Sequence, residues 1–429
     1  MREPETGRAL LVAVELPTAS PAAGPGQAAA GALDELAQLA VTAGLEPAEQ
    51  VSQSRSAPDP AYYVGSGKVA ELASLGERLG CSHLLFDDEL SPVQARNLEQ
   101  ATDLEVLDRT QLILRIFAGR ARSHEGKLQV ELAQLTYELP RLTGRGTALS
   151  RLGGGLFTRG PGETKLEADR RVIRARISDL RRQITDLRRH RALHRAGRSR
   201  VPLPVASLVG YTNAGKSTLL NALTGATVVA EDKLFATLDP TTRALTVPGG
   251  LRVLLTDTVG FIRKLPHSLV AAFRATLEEV AAADLLLHVV DAAAPEAAAQ
   301  AATVREVLVD AGAGEVPAIT VLNKADAADP IELGRLARGF PDAVTVSART
   351  GRGLERLAEA IAYNLRRWVE DLRILIPYHR ADLLAALHDH GEVSHQDFGP
   401  AGVQVTASVY RGLAARIRQQ LTSETPPCP

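Results

Sequence analysis

A chain of 429 residues exceeds what one hydrophobic core can organise, so we expect about three domains. The composition, 45% hydrophobic and 23% charged, is that of an ordinary globular protein, and the net charge of −1 by itself says nothing about a nucleic-acid partner. No apolar run approaches the roughly 18 residues that cross a bilayer, residues 1–5 lack the basic start of a secretory signal, and two cysteines are too few for a disulfide framework. We expect a cytoplasmic protein with no membrane anchor.

Alternating apolar strands and amphipathic helices predict a small α/β domain at the start of the chain. The predicted strands cover 8–15, the neighbourhood of Val51, 83–86 and 104–107, and the predicted helices cover 29–43, 68–79 and a stretch from Pro92.

Inside this domain, the sequence Gly-Ser-Gly-Lys at 65–68 resembles part of a phosphate-binding loop. It lacks the first glycine of that motif, which a P-loop places six residues before the lysine. Two interpretations remain open: a helix-initiating turn with an exposed lysine, and a contact with an RNA phosphate.

Basic residues concentrate in the middle of the chain. Residues 109–142 are predicted helical and complete an N-terminal domain over 1–142 that includes the start of a helical arm. Residues 143–162 interleave glycine with arginine, a composition typical of a linker or of a loop that a phosphate-rich partner orders. Residues 163–200 carry 13 lysines and arginines against five acidic residues.

The basic segment also has the heptad spacing of a packed helix. Its apolar seam consists of Leu166, Ile173, Ile177, Leu180, Ile184 and Leu187. We predict that 143–200, the Gly/Arg loop and the basic helix, completes an antiparallel hairpin with 109–142; a coiled-coil dimer is the alternative. The hairpin needs no second chain, so we expect a monomer, and its one-sided charge favours a polyanion partner.

Two prolines, Pro202 and Pro204, end the basic helix and open the next domain. From 201 to 370, apolar strands alternate with helices, which predicts a doubly wound parallel sheet. The predicted strands are 205–209, 251–255, 285–290, 318–322 and 343–346. Residues 371–429 follow the order strand, helix, strand, strand, helix, which predicts a small α+β domain of ferredoxin-like type.

The segment Gly210–Ser217 reads Gly-Tyr-Thr-Asn-Ala-Gly-Lys-Ser and joins an apolar strand to a helical sequence. This context defines a P-loop, whose glycines let backbone N–H groups approach an anion at a helix N-terminus. Lys216 is expected to reach the β- and γ-phosphates of a nucleotide, and the Ser217 hydroxyl is expected to bind Mg²⁺.

Two further segments extend the phosphate site. Asp257–Gly260 follows an apolar strand, so that Asp257 can hold Mg²⁺ through water and the Gly260 N–H can bind the γ-phosphate. Thr237, within Phe235–Asp239, can donate a second oxygen to Mg²⁺, and Thr241 and Thr242 are rival candidates; the choice of Thr237 rests on the family resemblance given below.

Guanine selectivity is predicted from two loops that follow later strands. The Asp326 carboxylate, in Asn323–Asp326, only accepts hydrogen bonds, and guanine offers N1–H and an amine as a matched donor pair that adenine lacks. Ser347–Arg349 is the predicted loop at guanine O6. The predicted catalytic set is Lys216, Thr237 and Gly260, and the predicted metal ligands are Ser217 and Thr237.

The residues predicted to contact the nucleotide belong to the loops described above or directly follow them: Gly210, Tyr211, Thr212, Asn213, Ala214, Gly215, Lys216, Ser217, Thr218, Phe235, Ala236, Thr237, Leu238, Asp239, Asp257, Thr258, Val259, Gly260, Asn323, Lys324, Ala325, Asp326, Ser347, Ala348 and Arg349.

The motif set resembles the HflX family of ribosome-associated GTPases. It comprises Gly210–Ser217, Phe-Ala-Thr-Leu-Asp-Pro-Thr-Thr at 235–242, Asp-Thr-Val-Gly-Phe-Ile-Arg at 257–263, Asn-Lys-Ala-Asp at 323–326, and, nearer the N-terminus, Tyr63–Lys68 and Gly160–Thr164. The resemblance implies a P-loop GTPase that uses GTP or GDP with Mg²⁺ and binds the large (50S) ribosomal subunit and the 70S ribosome. It also implies that the protein splits or rescues stalled or idle ribosomes, or aids their assembly.

One position departs from many GTPases. Phe261 stands where those enzymes place a glutamine that orients the attacking water, and a phenyl ring cannot make that hydrogen bond. We therefore predict slow hydrolysis by the protein alone and stimulation by the ribosome, with ribosomal RNA contacting the Gly/Arg loop and the basic hairpin. Arg263 and His267 are expected to be ordinary loop residues and Asp239 a loop cap. The rival hypotheses are a signalling or membrane-associated regulatory GTPase and a non-enzymatic RNA-binding scaffold.

Overall fold

The computed structural model describes residues 7–17, 27–142, 165–198, 203–226, 234–264 and 280–422. The chain divides into two compact units. The first consists of 1–188 with the short segments 233–235 and 264–273, and the second of 189–232, 236–263 and 274–429. The division into two units does not test the predicted domain boundaries at 142, 200 and 370, which stay predictions.

The first unit opens with a four-stranded parallel sheet in the order β2-β1-β3-β4. Its elements are β1 (Arg8–Glu15), α1 (Gln27–Thr42), β2 (Glu46–Ser54), α2 (Ser66–Leu79), β3 (His83–Phe86), α3 (Pro92–Thr102) and β4 (Glu105–Asp108). The central strands β1 and β3 carry continuous apolar runs, 9–14 and 84–86, as expected of parallel strands that helices cover on both faces. Leu10, Leu84 and Leu72 lie in its core and are fully buried. The predicted α/β domain is confirmed.

Residues 109–142 are helical as predicted, in the form of α4 (Arg109–Arg120), α5 (His124–Glu138) and a 3₁₀ turn at Leu139–Arg141. The hydroxyl of Ser123 accepts the Gly126 N–H and starts the second helix, which fixes the break. At the start of α4, Asp108 and Gln111 form a reciprocal capping box.

The basic helix α6 (Lys165–Arg198) folds back on α5 as an antiparallel hairpin. Leu128 packs with Leu180 and Ile184, whereas Leu142, further along the first arm, packs with Ile173 and Ile177. A bidentate ion pair between Arg176 and Glu131, with N–O distances of 2.7 and 2.9 Å, also joins the arms. The predicted intrachain hairpin is confirmed, while the Gly/Arg loop at 143–162 lies outside the described residues.

The second unit contains a six-stranded sheet in the order β10-β9-β8-β5-β7-β6. Its elements are β5 (Val205–Gly210), α7 (Lys216–Thr224), β6 (Thr241–Thr246), β7 (Arg252–Asp257), β8 (Leu285–Asp291), α8 (Ala297–Asp310), β9 (Ala318–Asn323), α9 (Pro330–Gly339), β10 (Val344–Thr345) and α10 (Leu354–Leu365). Five strands are parallel, as predicted. The edge strand β6 was missed: it pairs antiparallel with β7, and its residues are mostly exposed.

A second sheet of the same unit has the order β11-β13-β12 and is antiparallel. Its elements are β11 (Val369–Ile376), α11 (Ala381–His390), β12 (Glu392–Gly399), β13 (Gly402–Tyr410) and α12 (Arg411–Thr422). Leu383, Leu387 and Ile417 of the two helices pack with the sheet to form its core. The predicted α+β order is confirmed, although the described residues supply three strands rather than the four of a complete ferredoxin-like sheet. Across the part of the chain that the structure describes, no helix is long and apolar enough to cross a membrane.

Candidate nucleotide-binding site

The P-loop joins the end of β5 to the start of α7 at the centre of the six-stranded sheet. Gly215 begins the helix with φ of +89°, a left-handed conformation that glycine adopts without strain. A Cβ atom at this position would also collide with the side-chain amide of Asn323. The backbone of the loop therefore depends on glycine here both for its conformation and for space.

Lys216 is the first residue of α7 and is only 7% exposed. Its ammonium group donates to the carbonyl oxygens of Tyr211 at 2.8 Å and Gly210 at 3.1 Å. Burial lowers the pKa of Lys216 to about 8, and the carboxylate of Asp257 opposes that shift. A cation held in place with little hydration is suited to bind a phosphate anion, because the anion replaces solvent that the lysine has already lost.

Three oxygen-bearing side chains converge beside the P-loop. Ser217 Oγ lies 2.6 Å from Asp257 Oδ2 and 2.9 Å from Thr237 Oγ1, and Thr237 Oγ1 lies 2.9 Å from the same Asp257 oxygen. Burial raises the pKa of Asp257, with Lys216 and the two hydroxyls opposing the shift. The second carboxylate oxygen, Oδ1, is buried and has no hydrogen-bond partner among the described residues.

This oxygen set fits Mg²⁺, which prefers carboxylate, hydroxyl and water oxygens. The buried Oδ1 of Asp257 supports the fit, since an unsatisfied carboxylate oxygen is costly in the absence of a cation or water. The rival threonine Thr242 instead pairs its hydroxyl with Thr256 at 3.0 Å. The geometry thus brings Thr237, rather than Thr242, to Ser217 and Asp257.

The turn that follows Asp257 lies against the P-loop. The Thr258 hydroxyl donates to the Leu208 carbonyl of β5 at 2.6 Å, which fixes the turn to the neighbouring strand. A Cβ atom on Gly260 would lie 2.9 Å from Thr212 Cα and 3.0 Å from Lys216 Nζ. Gly260 therefore sits directly beside Lys216, where only a glycine fits without a shift of its neighbours.

Asn323 connects the P-loop to the loop after β10. Its side-chain N–H donates to the Ala214 carbonyl at 2.9 Å, and its side-chain oxygen accepts the Ala348 N–H at 3.0 Å. The Ala325 N–H donates to the Val346 carbonyl at 3.1 Å. The amide of Asn323 thus orders two loops at once, which explains why this position needs a side chain that both donates and accepts.

Asp326 is exposed, so its carboxylate is accessible to a ligand. A hydrogen bond from the side chain of Ser347 holds the pKa of Asp326 below its usual range, and the charges of Arg349 and Lys324 act in the same direction. Lys324 is itself paired with Asp291 at the end of β8, at 2.7 Å. An ionised acceptor at this position matches a ligand that presents two adjacent N–H donors.

The remaining predicted residues fall into the same loops, with one exception. Tyr211, Thr212, Asn213 and Thr218 belong to the P-loop and α7, Ala236, Leu238 and Asp239 flank Thr237, and Val259 precedes Gly260. Phe235 instead belongs to the first unit, where its buried ring packs edge-on against Phe117 with the centroids 4.6 Å apart. Arg263 pairs with Glu296 at 3.0 Å, as expected of a loop residue, and His267 lies outside the described residues.

Sequence reasoning missed two features of the site. Asp291 was overlooked, although it directly follows the predicted strand 285–290. Its place at the carboxyl end of a strand, where the other polar loops also lie, could have identified it. The Tyr211 hydroxyl accepts the Arg263 N–H at 2.8 Å, a contact that no sequence pattern announces.

A six-stranded doubly wound sheet, a P-loop with a buried lysine, an oxygen cluster that fits Mg²⁺ and an ordered Asn-Lys-Ala-Asp loop together define a P-loop GTPase. Comparison with known proteins agrees with this class. The family described as "GTP-binding GTPase N-terminal" matches residues 30–118, "GTP-binding GTPase Middle Region" matches 120–198, and "50S ribosome-binding GTPase" matches 205–324.

Curated relatives match over most of the chain. GTPase HflX of Caldanaerobacter subterraneus subsp. tengcongensis is 50% identical over 391 residues, which cover 91% of this chain and 90% of that protein. GTPase HflX of Lacrimispora saccharolytica is 47% identical, over 96% and 95% of the two chains. GTPase HflX of Escherichia coli K12 is 47% identical, over 80% and 82%. The chain belongs to the HflX family of GTPases, and it is a GTP-hydrolysing enzyme.

Proposed function

We propose that this chain binds GTP or GDP with Mg²⁺ at the P-loop site and couples GTP hydrolysis to association with the large ribosomal subunit. In this proposal it acts in the cytoplasm as a monomer, and it splits or rescues stalled or idle 70S ribosomes or aids their assembly. The observation that carries the nucleotide part is the closed cluster of Ser217, Thr237 and Asp257 beside Lys216.

The phosphates are bound by a cradle whose parts are already in place. The P-loop N–H groups and the N-terminus of α7 receive the anion, and Lys216 reaches the β- and γ-phosphates. Ser217 and Thr237 would hold Mg²⁺ directly, and Asp257 would hold it through water. A metal ion at this position would supply positive charge to the phosphate oxygens.

Base selectivity is assigned to Asp326 and to the loop Ser347–Arg349, which follows β10. The ionised Asp326 accepts the N1–H and amine of guanine, whereas adenine would leave the carboxylate without donors. Asn323 positions this loop through its two hydrogen bonds, so it acts on the base indirectly.

Hydrolysis depends on positioning and on charge stabilisation at the terminal phosphate. Lys216 and the Gly260 N–H supply the fixed donors there. Phe261 is 4% exposed and its phenyl ring cannot orient water, so we expect slow turnover in the absence of a partner. The ribosome then completes the site or orders its loops.

The ribosomal partner is supported by the matched family description, "50S ribosome-binding GTPase", and by the charge of α6. The side chains of Arg174, Arg181 and Arg189 are exposed on that helix. Arginines on one exposed helix suit contact with the phosphates of ribosomal RNA, which predicts that the affinity falls with salt.

Co-sedimentation with purified 50S and 70S particles tests the proposal. We expect the protein to pellet with 50S subunits when loaded with a non-hydrolysable GTP analogue, to convert 70S particles to free subunits, and to bind less tightly as the KCl concentration rises. Arg174→Glu with Arg181→Glu should weaken pelleting, while Arg335→Glu, an exposed arginine of the second unit that pairs with Glu332, should not. Pelleting that is absent, or that salt does not change, would contradict the ribosomal part.

A further inference from the structure

Residues 261–263 are joined to the P-loop by a short parallel bridge. Tyr211 and Phe261 face each other as bridge partners. The Thr212 N–H donates to the Phe261 carbonyl at 2.7 Å, and the Phe261 N–H donates to the Gly210 carbonyl at 3.1 Å. The turn that contains Gly260 is thereby fastened to the P-loop by its own backbone.

The side chain of Tyr211 adds a third fastening point. Its ring is buried, with 5% of its surface exposed, and its hydroxyl accepts the Arg263 N–H at 2.8 Å. The Arg263 guanidinium group is held in turn by Glu296 at 3.0 Å. We name this set of contacts, made by Tyr211 with Phe261 and Arg263, the tyrosine clamp.

The clamp begins one residue after Gly260, so it controls where the Gly260 N–H lies. A Cβ on Gly260 would be 3.0 Å from Lys216 Nζ and 2.9 Å from Thr212 Cα, which leaves little freedom for the turn while the clamp is closed. Thr237 is at the same time hydrogen-bonded to Ser217 and Asp257. Both Thr237 and the turn at Gly260 therefore lie in direct contact with residues of the P-loop.

We propose that Tyr211 is a positioning residue for GTP hydrolysis: its hydroxyl, by accepting the Arg263 N–H, holds the turn after Asp257 on the P-loop and so sets the Gly260 N–H at the terminal phosphate. The inference rests on the roles proposed above for Lys216 and Gly260. It differs from them because Tyr211 acts through another group and only when a γ-phosphate is present.

This role predicts a selective effect of removing one oxygen atom. Tyr211→Phe keeps the buried ring and deletes the acceptor of the Arg263 N–H. A neutral hydrogen bond of this kind corresponds to about a three- to tenfold change in an equilibrium or rate constant. We expect kcat and the affinity for a non-hydrolysable GTP analogue to fall by about that factor. GDP affinity should stay within about twofold, because GDP has no γ-phosphate for Gly260 to bind.

The experiment measures single-turnover GTP hydrolysis, the affinities for GDP and the GTP analogue, and hydrogen exchange at 261–264 in the analogue complex. Faster exchange confined to these residues in Tyr211→Phe would show a local release of the turn, whereas a general loss of stability would not be confined to them. Tyr378→Phe is the matched control, since that hydroxyl donates to the Gly399 carbonyl at 2.8 Å in the other sheet, and it should change none of these quantities.

Two results would overturn the inference: an unchanged rate and exchange in Tyr211→Phe, or an equal loss of affinity for GDP and for the analogue. Lys216→Ala in the same assays separates this failure from failure of the proposed function. If Lys216→Ala abolishes nucleotide binding while Tyr211→Phe behaves as wild type, the site is right and the clamp is not needed. If Lys216→Ala also binds normally, the proposed nucleotide site is wrong.

Discussion

The chain contains two glycine-rich turns that lead through a lysine into a helix, and they have different structures. In the first unit, Gly65 caps α2 with φ of −69°, and Lys68, within the first turn, pairs with Glu71 at 2.8 Å. In the second unit, Gly215 precedes α7 with φ of +89°, and Lys216 is buried against two carbonyl groups of its own loop.

The difference between the turns is that only the second wraps around an anion site. A glycine six residues before the lysine lets the P-loop backbone curl back over the ammonium group, whereas Tyr62 stands at that spacing before Lys68 and the chain enters α2 from an extended residue. Residues 65–68 start a helix, as the helix-initiating interpretation expects, although Lys68 is paired with Glu71 rather than exposed. The same comparison can be tested by substitutions in matched positions.

The largest contrast is expected between the two lysines. Lys216→Ala removes a buried charge from the phosphate cradle, and we expect GTP and GDP affinity to fall by at least about 100-fold. Lys68→Ala removes a partly exposed ion pair with Glu71 and should change nucleotide affinity less than about twofold. Isothermal titration with both nucleotides measures this contrast. A comparable loss in the two variants would mean that the first turn also binds nucleotide.

Asp326→Asn should change the base that the second unit accepts. The amide replaces one acceptor with a donor, so we expect GTP affinity to fall by roughly 10- to 100-fold. Xanthosine triphosphate, whose base has a carbonyl in place of the guanine amine, should gain affinity in the variant. Competition binding with GTP and xanthosine triphosphate measures this change of preference. If the variant still prefers GTP to the same degree, Asp326 does not contact the base.

Gly260→Ala tests the close approach beside Lys216. The added Cβ would press on Thr212 and on the lysine ammonium group at 2.9–3.0 Å, so we expect hydrolysis and GTP-analogue affinity to fall about tenfold with little effect on GDP. Gly67→Ala, whose Cβ would meet nothing within 4 Å, is the control in the first turn. Equal behaviour of the two alanine variants in a single-turnover assay would show that space at Gly260 does not matter.

A further effect, absent at neutral pH, is a pH dependence that Lys216 confers on binding. Its pKa in the free protein is lowered to about 8 by burial, and a bound phosphate anion favours the charged lysine, which raises that pKa. Binding therefore takes up a proton once the pH exceeds 8. Affinity should be flat between pH 6.5 and 7.5 and should fall by up to about tenfold per pH unit above 8. Titrations in buffers of different ionisation enthalpy measure the proton uptake, and a flat profile to pH 9.5 would contradict the assignment.

The parts of the molecule that sequence predicted well are those set by local pattern. The P-loop, the polar residues at strand ends and the apolar seam of α6 each depend on spacing along one segment, and the structure places them as expected. The position of the break between α4 and α5 was not predicted; the structure places it where Ser123 caps the start of α5.

Other features depend on contacts between distant segments. Strand β6 is largely polar and mostly exposed, so only its pairing with β7 identifies it as a strand. Phe235 follows the motif of a nucleotide loop, yet its ring is buried against Phe117 in the first unit. The tyrosine clamp joins a hydroxyl to a backbone N–H 52 positions away. Such a contact cannot be predicted from residue types, because almost every residue has a backbone N–H.

The most direct test of the account is the rate of GTP hydrolysis with and without purified 50S subunits, measured for the wild type and for Lys216→Ala. We predict slow hydrolysis by the wild type alone, because Phe261 cannot orient water. We expect the 50S subunit to raise the rate at least about tenfold. Lys216→Ala should be inactive in both conditions. A wild-type rate that the subunit leaves unchanged would contradict the claim that this GTPase is completed by the ribosome.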